Sequence, residues 1–261
     1  MSYQSIAFDV DDSVATITLN RPSMLNAFND QMIAECIRAL DDCANEKSIR
    51  SVVLTGSGRA FSAGQDLKEI QSRDPEFSIG EHVRNGYNEI VRRIVTLDKP
   101  VIGAINGVAA GAGCGIALAT DIRIMAHVAK FVLAFGQVGL VPDSGVTWTL
   151  PRLIGPARAY QLAITGEAIS AQKAQEWGLV NLVVPADQMP EIVAAWARTL
   201  AQGATLAFGL AKRAMREGAT SSLAEALQYE ADLQQIAGRS RDFQEGLRAF
   251  VEKRDPEFIG E

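Results

Sequence analysis

The sequence predicts an α/β fold with a helical module at its C-terminal end. Short apolar runs that suit buried strands alternate with segments of helical spacing in the first part of the chain, a pattern typical of α/β proteins. The clearest strand candidates are residues 51–55, 101–105, 122–126 and 182–184. Beyond residue 203 only helical spacing remains. We therefore expect a core domain at residues 1–203 and a helical module at residues 204–261.

The remaining elements follow from local patterns. Residues 6–19 alternate apolar and polar side chains around Asp11-Asp12-Ser13, which predicts a β-hairpin. Residues 29–44 carry apolar side chains at helical spacing behind Asn29, a residue type that often caps helices. Residues 74–88 are mostly polar and show no clear period, so we expect a mobile rim. The other predicted elements are a strand at 131–135 and helices at 89–97, 113–120, 205–215, 222–237 and 241–252.

Composition and charge argue against several classes of function. The chain has 261 residues, 48% of them hydrophobic, and a formal net charge of −6. It has no basic run and no long apolar stretch, so we expect no nucleic-acid partner and no membrane partner. Cys36, Cys43 and Cys114 lack metal-ligand spacing and only two histidines are present, so no metal site is expected. Reduced thiols and the lack of a leader pattern in residues 1–5 predict a cytoplasmic protein.

Two glycine-containing segments are the most informative motifs. Residues 58–67 read Gly-Arg-Ala-Phe-Ser-Ala-Gly-Gln-Asp-Leu, and residues 106–115 read Asn-Gly-Val-Ala-Ala-Gly-Ala-Gly-Cys-Gly. Taken alone, either one is more simply a tight turn. Each follows an apolar run and leads into a helical pattern, however, so each can direct a free backbone N–H at one point. Two N–H groups that converge on a carbonyl oxygen form an oxyanion hole.

Together the two motifs resemble the signature of the crotonase family, also called the enoyl-CoA hydratase/isomerase superfamily. The resemblance runs from Ile6 to about Phe258. It implies a spiral of ββα units whose C-terminal helices build a homotrimer, often a hexamer made of two trimers. It also implies an acyl-CoA thioester substrate, in which coenzyme A is part of the substrate and no cofactor is bound permanently.

The resemblance assigns the oxyanion donors to the main-chain N–H groups of Gln65 and Ala112. Such donors stabilise an enolate without reorganising, and a helix that starts at Ala112 adds partial positive charge. Asp66 follows the first donor, and a carboxylate there would repel the enolate unless it turned away. We therefore expect Asp66 to cap the next helix and to fix the loop.

Asp143 is the candidate acid/base. It lies in Gly-Leu-Val-Pro-Asp-Ser-Gly-Val-Thr-Trp at residues 139–148, and from these residues alone a helix-capping role is the simpler interpretation. In the family this loop faces the acyl chain, and several isomerases carry an acid at or near this position. Family hydratases use two glutamates, whereas the corresponding positions here hold Gly115 and Phe135. This departure favours isomerisation.

The resemblance then implies a mechanism with one carboxylate. Phe131 and Phe135 would make the pocket apolar, which raises the pKa of a lone carboxyl group and suits a residue that takes and returns a proton. Asp143 would shift a proton along an unsaturated acyl-CoA while the two N–H groups hold the enolate. Residues 131–148 are most similar to the branch of ring-1,2-epoxyphenylacetyl-CoA and Δ3,Δ2-enoyl-CoA isomerases, which suggests phenylacetate or fatty acid metabolism.

The family pattern also predicts contacts with the substrate and its coenzyme A part. It falls on Ser23, Met24, Leu25, Ala63, Gly64, Asp66, Leu67, Gly111 and Phe135. Near the end of the chain, Phe250 and Lys253 resemble a Phe and a Lys that reach the nucleotide end of coenzyme A bound to a neighbouring subunit. A lysine is a suitable point charge for phosphate, but a solvated charge on a terminal helix is an equally good interpretation.

Some alternatives stay open. His82 could assist the acid, as a histidine does in a dehalogenase of the family, but a solvent-facing side chain is the simpler expectation. Cys114 is expected to be a small packing residue. An enoyl-CoA hydratase is the second candidate activity. A non-catalytic CoA-binding or RNA-binding family member is the candidate of another class, although the acidic charge and Asp143 argue against it.

Overall fold

The computed structural model describes residues 3–261. Met1 and Ser2 lie outside the described residues. The predicted core domain at residues 1–203 and the predicted lack of a leader at residues 1–5 both include these two residues. The strands of the described residues form a six-stranded and a four-stranded sheet. They are β1 Ile6–Asp11, β2 Val14–Leu19, β3 Ser51–Gly56, β4 Ala60–Ser62, β5 Val101–Ile105, β6 Val108–Ala110, β7 Ile122–Ala126, β8 Lys130–Val132, β9 Ile169–Ser170 and β10 Leu182–Val184.

The order of the strands describes a spiral. The larger sheet has the order β1-β2-β3-β5-β7-β10, and the smaller sheet has the order β4-β6-β8-β9. Three pairs of consecutive strands therefore contribute one strand to each sheet: β3 and β4, β5 and β6, and β7 and β8. Strands of successive steps pair in parallel, β3 with β5 and β5 with β7 in the larger sheet, and β4 with β6 and β6 with β8 in the smaller. The expected spiral of ββα units is thus confirmed. The predicted hairpin is also present, because β1 and β2 pair antiparallel.

Helices connect and cover these strands. The predicted cap of the first helix is confirmed, because Asn29 Oδ1 accepts a hydrogen bond from Met32 N–H at 3.0 Å. The α-helices are α1 Asp30–Asn45, α2 Leu67–Gln71, α3 Ile79–His82, α4 Asn88–Thr96, α5 Ala112–Ala119, α6 Val146–Ile154, α7 Pro156–Thr165, α8 Ala171–Glu176, α9 Met189–Gln202, α10 Thr205–Gly218, α11 Leu223–Ala237 and α12 Arg241–Glu252.

Two predicted segments differ from the structure. Residues 131–135 are not one strand, because β8 ends at Val132 and a 3₁₀ helix occupies Ala134–Val138. The rim is irregular only at residues 74–78; beyond them it contains α3 and a π-helical turn, Val83–Tyr87, that continues directly into α4. Gly86 lets this turn approach α1, since a Cβ there would lie 3.2 Å from Ile33 Cγ2. Residues 79–88 are therefore helical, and Gly86 and Tyr87 pack this part of the rim against the core.

After Gly203 the regular structure is helical up to Glu252, as the sequence pattern predicts, and residues 253–261 follow without a helix or strand. The first of these helices, α10, is tied to the sheets by Lys212, whose Nζ donates hydrogen bonds to Asp121 Oδ2 and to the carbonyl oxygen of Ile94, each at 2.7 Å. A second, more exposed ion pair joins Arg213 to Asp98. The division into domains at residues 1–203 and 204–261 stays a prediction.

One continuous apolar core supports both sheets. Ile17, Phe28, Phe61, Ile102 and Phe131 lie in it with at most 1% of their surface exposed. Within residues 3–261, no helix has both the length and the hydrophobicity needed to cross a bilayer. The same residues contain no group of three histidine, cysteine or carboxylate side chains arranged to hold a metal ion.

Candidate active site

The first predicted oxyanion donor lies in a loop held by Phe28. The N–H of Phe28 donates to Gly64 O at 2.7 Å, and the N–H of Asp66 donates to Phe28 O at 2.9 Å. This parallel bridge uses the groups on either side of Gln65, so the N–H of Gln65 itself points away from Phe28. No acceptor for that N–H occurs among the described residues.

The second predicted donor lies directly against the first loop. Ala112 is the first residue of α5, where N–H groups lack an acceptor within the helix. A Cβ on Gly64 would lie 2.7 Å from Ala110 O and 3.4 Å from Ala112 N, so the two loops touch. Both loops also need glycine for their backbone conformation, because Gly64 has a φ of 86° and Gly111 a φ of 50°, values that other residues rarely adopt. The structure thus brings the predicted donor residues Gln65 and Ala112 into one small region.

Asp66 has the structural contacts expected of it. Its side chain caps α2, accepting a hydrogen bond from Lys68 N–H at 3.2 Å. It also pairs with Arg21, whose NH2 group lies 3.0 Å from Asp66 Oδ2, and Arg21 donates to the carbonyl oxygen of Ala27 at 2.6 Å. These contacts direct the Asp66 carboxylate toward Arg21 and the first turn of α2, and they fix the loop that follows Gln65.

Asp143 lies in the loop that leads into α6. Ser144 Oγ donates a hydrogen bond to Asp143 Oδ1 at 2.7 Å, and the Asp143 carbonyl oxygen accepts from Val146 N–H at 3.0 Å. Burial raises the pKa of Asp143 above its ordinary value, against smaller lowering effects of the Ser144 hydrogen bond and of the His82 charge. Asp143 is therefore a partly buried carboxyl group that holds its proton more readily than a free aspartate does.

The side chain of Gln65 forms a cluster that the sequence analysis missed. Its Oε1 accepts a hydrogen bond from Tyr87 O–H at 2.5 Å and lies 2.7 Å from His82 Nε2. The expectation that His82 faces solvent is wrong, since its side chain is only 10% exposed. Burial lowers the pKa of His82, against smaller raising effects of carboxylate charges, Asp30 first and Asp143 among them.

Gly115 and Phe135, the two positions where the resemblance predicts glutamates in a hydratase, are both closely packed. A Cβ on Gly115 would lie 2.5 Å from Ser144 Cβ and 2.6 Å from Ser144 O, so no larger side chain fits beside this loop. Phe135 lies in the 3₁₀ helix and is 6% exposed, and its carbonyl oxygen accepts from Leu140 N–H at 3.0 Å. Phe131 is fully buried in the core. Neither position carries an ionisable group.

The residues predicted to contact coenzyme A fall in two places. Ser23 and Met24 lie in a 3₁₀ turn, and Leu25 follows with its carbonyl oxygen 2.9 Å from Ala63 N, so this turn adjoins the oxyanion loop. Leu67 is 55% exposed beside it. On α12, by contrast, Phe250 is 84% exposed. Lys253, just after that helix, has no ion-pair partner among the described residues, and no hydrogen bond joins it to the oxyanion loops.

Cys114 is a packing residue, as expected. It lies in α5 with 1% of its surface exposed, and burial raises the pKa of its thiol to about 12. At neutral pH the thiolate needed for nucleophilic chemistry is therefore scarce.

Comparison with known proteins identifies the family. The model of the family "Enoyl-CoA hydratase/isomerase" matches residues 9–261. The 1,2-epoxyphenylacetyl-CoA isomerase of Escherichia coli (strain K12) is 46% identical over 253 residues, which are 96% of this chain and 97% of that protein. A protein of Rhodobacter capsulatus named "Probable enoyl-CoA hydratase" is 42% identical over 260 residues and both chains are covered in full.

Solved structures agree with the sequence comparison. The crystal structure of an enoyl-CoA hydratase from Bacillus anthracis matches with a TM-score of 0.94 at 38% identity, covering 99% of this chain and 100% of that one. This chain belongs to the enoyl-CoA hydratase/isomerase family, the crotonase superfamily, and is an enzyme of that family. The predicted family and the predicted fold are thus confirmed.

Proposed function

We propose that this protein is an acyl-CoA isomerase that moves a proton through a thioester enolate, with Asp143 as its single acid/base. One observation carries the proposal: Ser144, which hydrogen-bonds Asp143, fills the space that a hydratase glutamate would need at Gly115. The same loop therefore supplies one carboxyl group and excludes another. One carboxyl group beside an oxyanion hole is sufficient for a 1,3-proton shift.

The proposed mechanism conserves all atoms of the substrate. The Asp143 carboxylate removes a proton from one carbon of an unsaturated acyl-CoA, and the electron pair moves into the thioester carbonyl. The N–H groups of Gln65 and Ala112 donate hydrogen bonds to the resulting enolate oxygen. Asp143 then returns the proton two carbons away. Substrate and product are isomers, so the reaction consumes no water and needs no oxidant or reductant. The raised pKa of Asp143 supports this role, because the residue must both take and release the proton.

The proposed substrate class includes a ring epoxide. The relative from Escherichia coli is named 1,2-epoxyphenylacetyl-CoA isomerase, and it matches nearly the whole chain at 46% identity. When the carbon–carbon bond shared by the epoxide and the six-membered ring breaks, its electron pair becomes part of a third ring double bond, which gives an oxepin with the same atoms. Asp143 would then move a proton from the carbon beside the thioester to a ring carbon through the enolate, which gives an isomeric oxepin.

The proposal extends to coenzyme A binding and assembly. Ser23, Met24 and Leu25 would contact coenzyme A together with the oxyanion loop, and Phe250 and Lys253 would reach it from a neighbouring subunit. Met215, Leu223, Phe250 and Val251 are each at least 76% exposed, which supports a homotrimer or hexamer built through the helical module. Sedimentation velocity tests the assembly. Three buried, unpaired cysteines support a cytoplasmic location.

A substrate panel tests the proposed reaction. The protein is incubated in D₂O with a 3-enoyl-CoA, a 2-enoyl-CoA and 1,2-epoxyphenylacetyl-CoA, and the products are analysed by mass spectrometry. We expect isomer formation, with deuterium incorporated into the enoyl product wherever the proton on Asp143 exchanges with solvent. Products that gain the mass of water, with no isomer formed, would contradict the proposal.

Hydration is the second candidate, because the relative from Rhodobacter capsulatus is named a hydratase. Loss of the conjugated thioester absorbance of crotonyl-CoA measures it directly. Rapid hydration would show that Gly115 and Phe135 do not mark missing catalysts. The candidate of another class, a non-catalytic CoA-binding or RNA-binding protein, predicts no turnover on the panel and, for RNA, a gel shift at moderate salt.

A further inference from the structure

The amide of Gln65 has all of its hydrogen-bonding groups occupied. Its Nε2 donates to the carbonyl oxygens of Phe28 and Asp66 at 3.2 and 3.3 Å, and a carbonyl oxygen cannot hydrogen-bond the amide oxygen in place of the NH₂ group. This fixes the orientation of the amide and leaves Oε1 facing Tyr87 O–H and His82 Nε2. Because Oε1 is an acceptor, His82 carries a proton on Nε2. The side chain next to a proposed oxyanion donor is thus held at four points.

The π-helical turn explains why His82 and Tyr87 can both reach Gln65. His82 directly precedes the turn Val83–Tyr87 and Tyr87 is its last residue, so the two are five positions apart. A π-helix closes its hydrogen bonds over five residues rather than four, so residues at this spacing lie closer to one face than in an α-helix. Single π-turns within helices are found frequently at functional sites. In this chain the turn aims two donors at one amide oxygen.

Tyr87 is itself wedged in place. It is 2% exposed, and its ring packs edge-to-face on Phe28 at 5.7 Å and on His82 at 5.6 Å. Phe28 is also the residue whose backbone bridges Gln65. The main chain of Gln65 is therefore held from one side by the Phe28 backbone, and its side chain is held from the rim by His82 and Tyr87.

We propose that His82 and Tyr87 are positioning residues that, through the Gln65 side chain, hold the Gln65 main-chain N–H in the direction of the thioester oxygen. This inference rests on the proposed function, since it takes Gln65 N–H as an oxyanion donor. Neither residue needs to touch the substrate. A donor that is aimed before the substrate arrives stabilises the developing charge without reorganising, whereas a donor free to swing does not.

Conservative variants test the inference. Tyr87→Phe keeps the ring and removes the donor, and we expect kcat on the preferred thioester to fall about tenfold while KM stays within about twofold. Tyr160→Phe is the matched control, because Tyr160 is 69% exposed on α7 and has no hydrogen-bond partner among the described residues. His82→Leu should behave like Tyr87→Phe. His82→Gln should recover most of the lost kcat, because its amide can donate to Gln65 Oε1.

Coupling through Gln65 is measured by repeating the changes in a Gln65→Ala background. There the rim has no amide to hold, so Tyr87→Phe should cause no further loss of kcat. A spectroscopic measurement is independent of turnover: the carbonyl stretch of bound phenylacetyl-CoA should shift less to low frequency in Tyr87→Phe than in the unmodified protein. An unchanged kcat in Tyr87→Phe and His82→Leu, or an undiminished Tyr87→Phe effect in the Gln65→Ala background, would overturn the inference.

The failure of this inference can be told apart from the failure of the proposed function. If Ala112→Pro and Asp143→Asn abolish isomerisation while Tyr87→Phe and His82→Leu have no effect, the oxyanion site stands and the positioning role falls. If Ala112→Pro and Asp143→Asn both retain turnover, the proposed site itself is wrong.

Discussion

Ser144 stands where any side chain of residue 115 would have to go. A Cβ at Gly115 would come within 2.5 Å of Ser144 Cβ and 2.6 Å of its carbonyl oxygen, far closer than van der Waals contact. The glycine in α5 is therefore required by the loop that carries Asp143. One packing contact, between Gly115 and Ser144, therefore both excludes a glutamate at position 115 and sets the position of the loop that carries Asp143.

Gly115→Ala should therefore cost activity through the position of Asp143. The added methyl group must displace Ser144, and we expect kcat to fall at least about tenfold, since small displacements of catalytic groups cost this much or more. Steady-state turnover on the preferred acyl-CoA measures it. Gly246→Ala is the control, because a Cβ there would meet the Phe258 ring at an ordinary 3.6 Å. Full activity of Gly115→Ala would show that the Asp143 loop adapts freely.

Asp143→Asn should abolish isomerisation and keep coenzyme A binding. The change preserves the shape of the side chain and removes the proton carrier, whose contribution as a general acid/base is typically about 10²–10⁴-fold. Turnover and calorimetric titration with a saturated acyl-CoA measure the two effects separately. Near-normal turnover in this variant would identify another group as the base.

The same substitution should stabilise the protein at neutral pH. Burial raises the pKa of Asp143 in the folded state, so the group favours folding below its unfolded pKa, and this stability is lost as the pH rises through the folded pKa. Asn has no such cost. We expect a higher melting temperature for Asp143→Asn at pH 7 and a smaller difference at acid pH. An equal difference at both pH values would contradict the raised pKa.

Ser144→Ala should move the pH dependence of activity. The Ser144 hydrogen bond favours the carboxylate form of Asp143 and lowers its pKa, so its removal raises that pKa further. The proposed base acts when ionised, and the acid limb of kcat/KM should therefore shift to higher pH. The pH profile of kcat/KM on a 3-enoyl-CoA measures the shift, and a shift to lower pH would contradict the argument.

Ala112→Pro should remove an oxyanion donor with little effect on the helix. Ala112 is the first residue of α5, a position at which proline is well tolerated because its N–H is not used within the helix. Loss of one such donor typically lowers kcat by about 10²–10³-fold. Ala112→Ser, which keeps the N–H, is the control. Circular dichroism checks that the fold persists, and undiminished turnover would place the oxyanion hole elsewhere.

Lys212→Met should destabilise the protein far more than Arg213→Met. The Lys212–Asp121 pair is mostly shielded from solvent, with 15% and 27% of the side chains exposed, and removing one partner of such a pair costs about 3–5 kcal/mol. The Arg213–Asp98 pair is 43% and 45% exposed, and pairs of this kind contribute about 1 kcal/mol or less. Denaturant unfolding measures both. Similar losses would show that α10 is not anchored by Lys212.

Local patterns predicted much of the fold. Asn29 was identified as the cap of α1 because capping depends on a few adjacent residues, and its side chain does accept the Met32 N–H. The hairpin of β1 and β2 follows equally from short-range alternation. Residues 131–135, by contrast, form a continuous apolar run that predicts one strand. In the structure the strand ends at Val132 and a 3₁₀ helix begins at Ala134, and the apolar run contains no signal for that change.

The candidate site was only partly predictable. The two glycine motifs identified Gln65 and Ala112 as neighbours because their chemistry is in the backbone, and the structure does bring them together. His82 was expected in solvent because its segment is polar and shows no α-helical period. The π-helical turn hides that period, and the burial of His82 depends on Gln65, a residue 17 positions away. Such a contact has no signature in a single sequence.

Because of the π-helical turn, the number of residues in the rim matters for the position of Tyr87 as much as the residue types do. Deleting one residue between Ile79 and Asn88 would convert the turn into ordinary α-helix and rotate Tyr87 away from the amide it meets. A change of one residue in the length of this segment would thus alter how the Gln65 amide is held, while every strand, both glycine motifs and Asp143 stay unchanged.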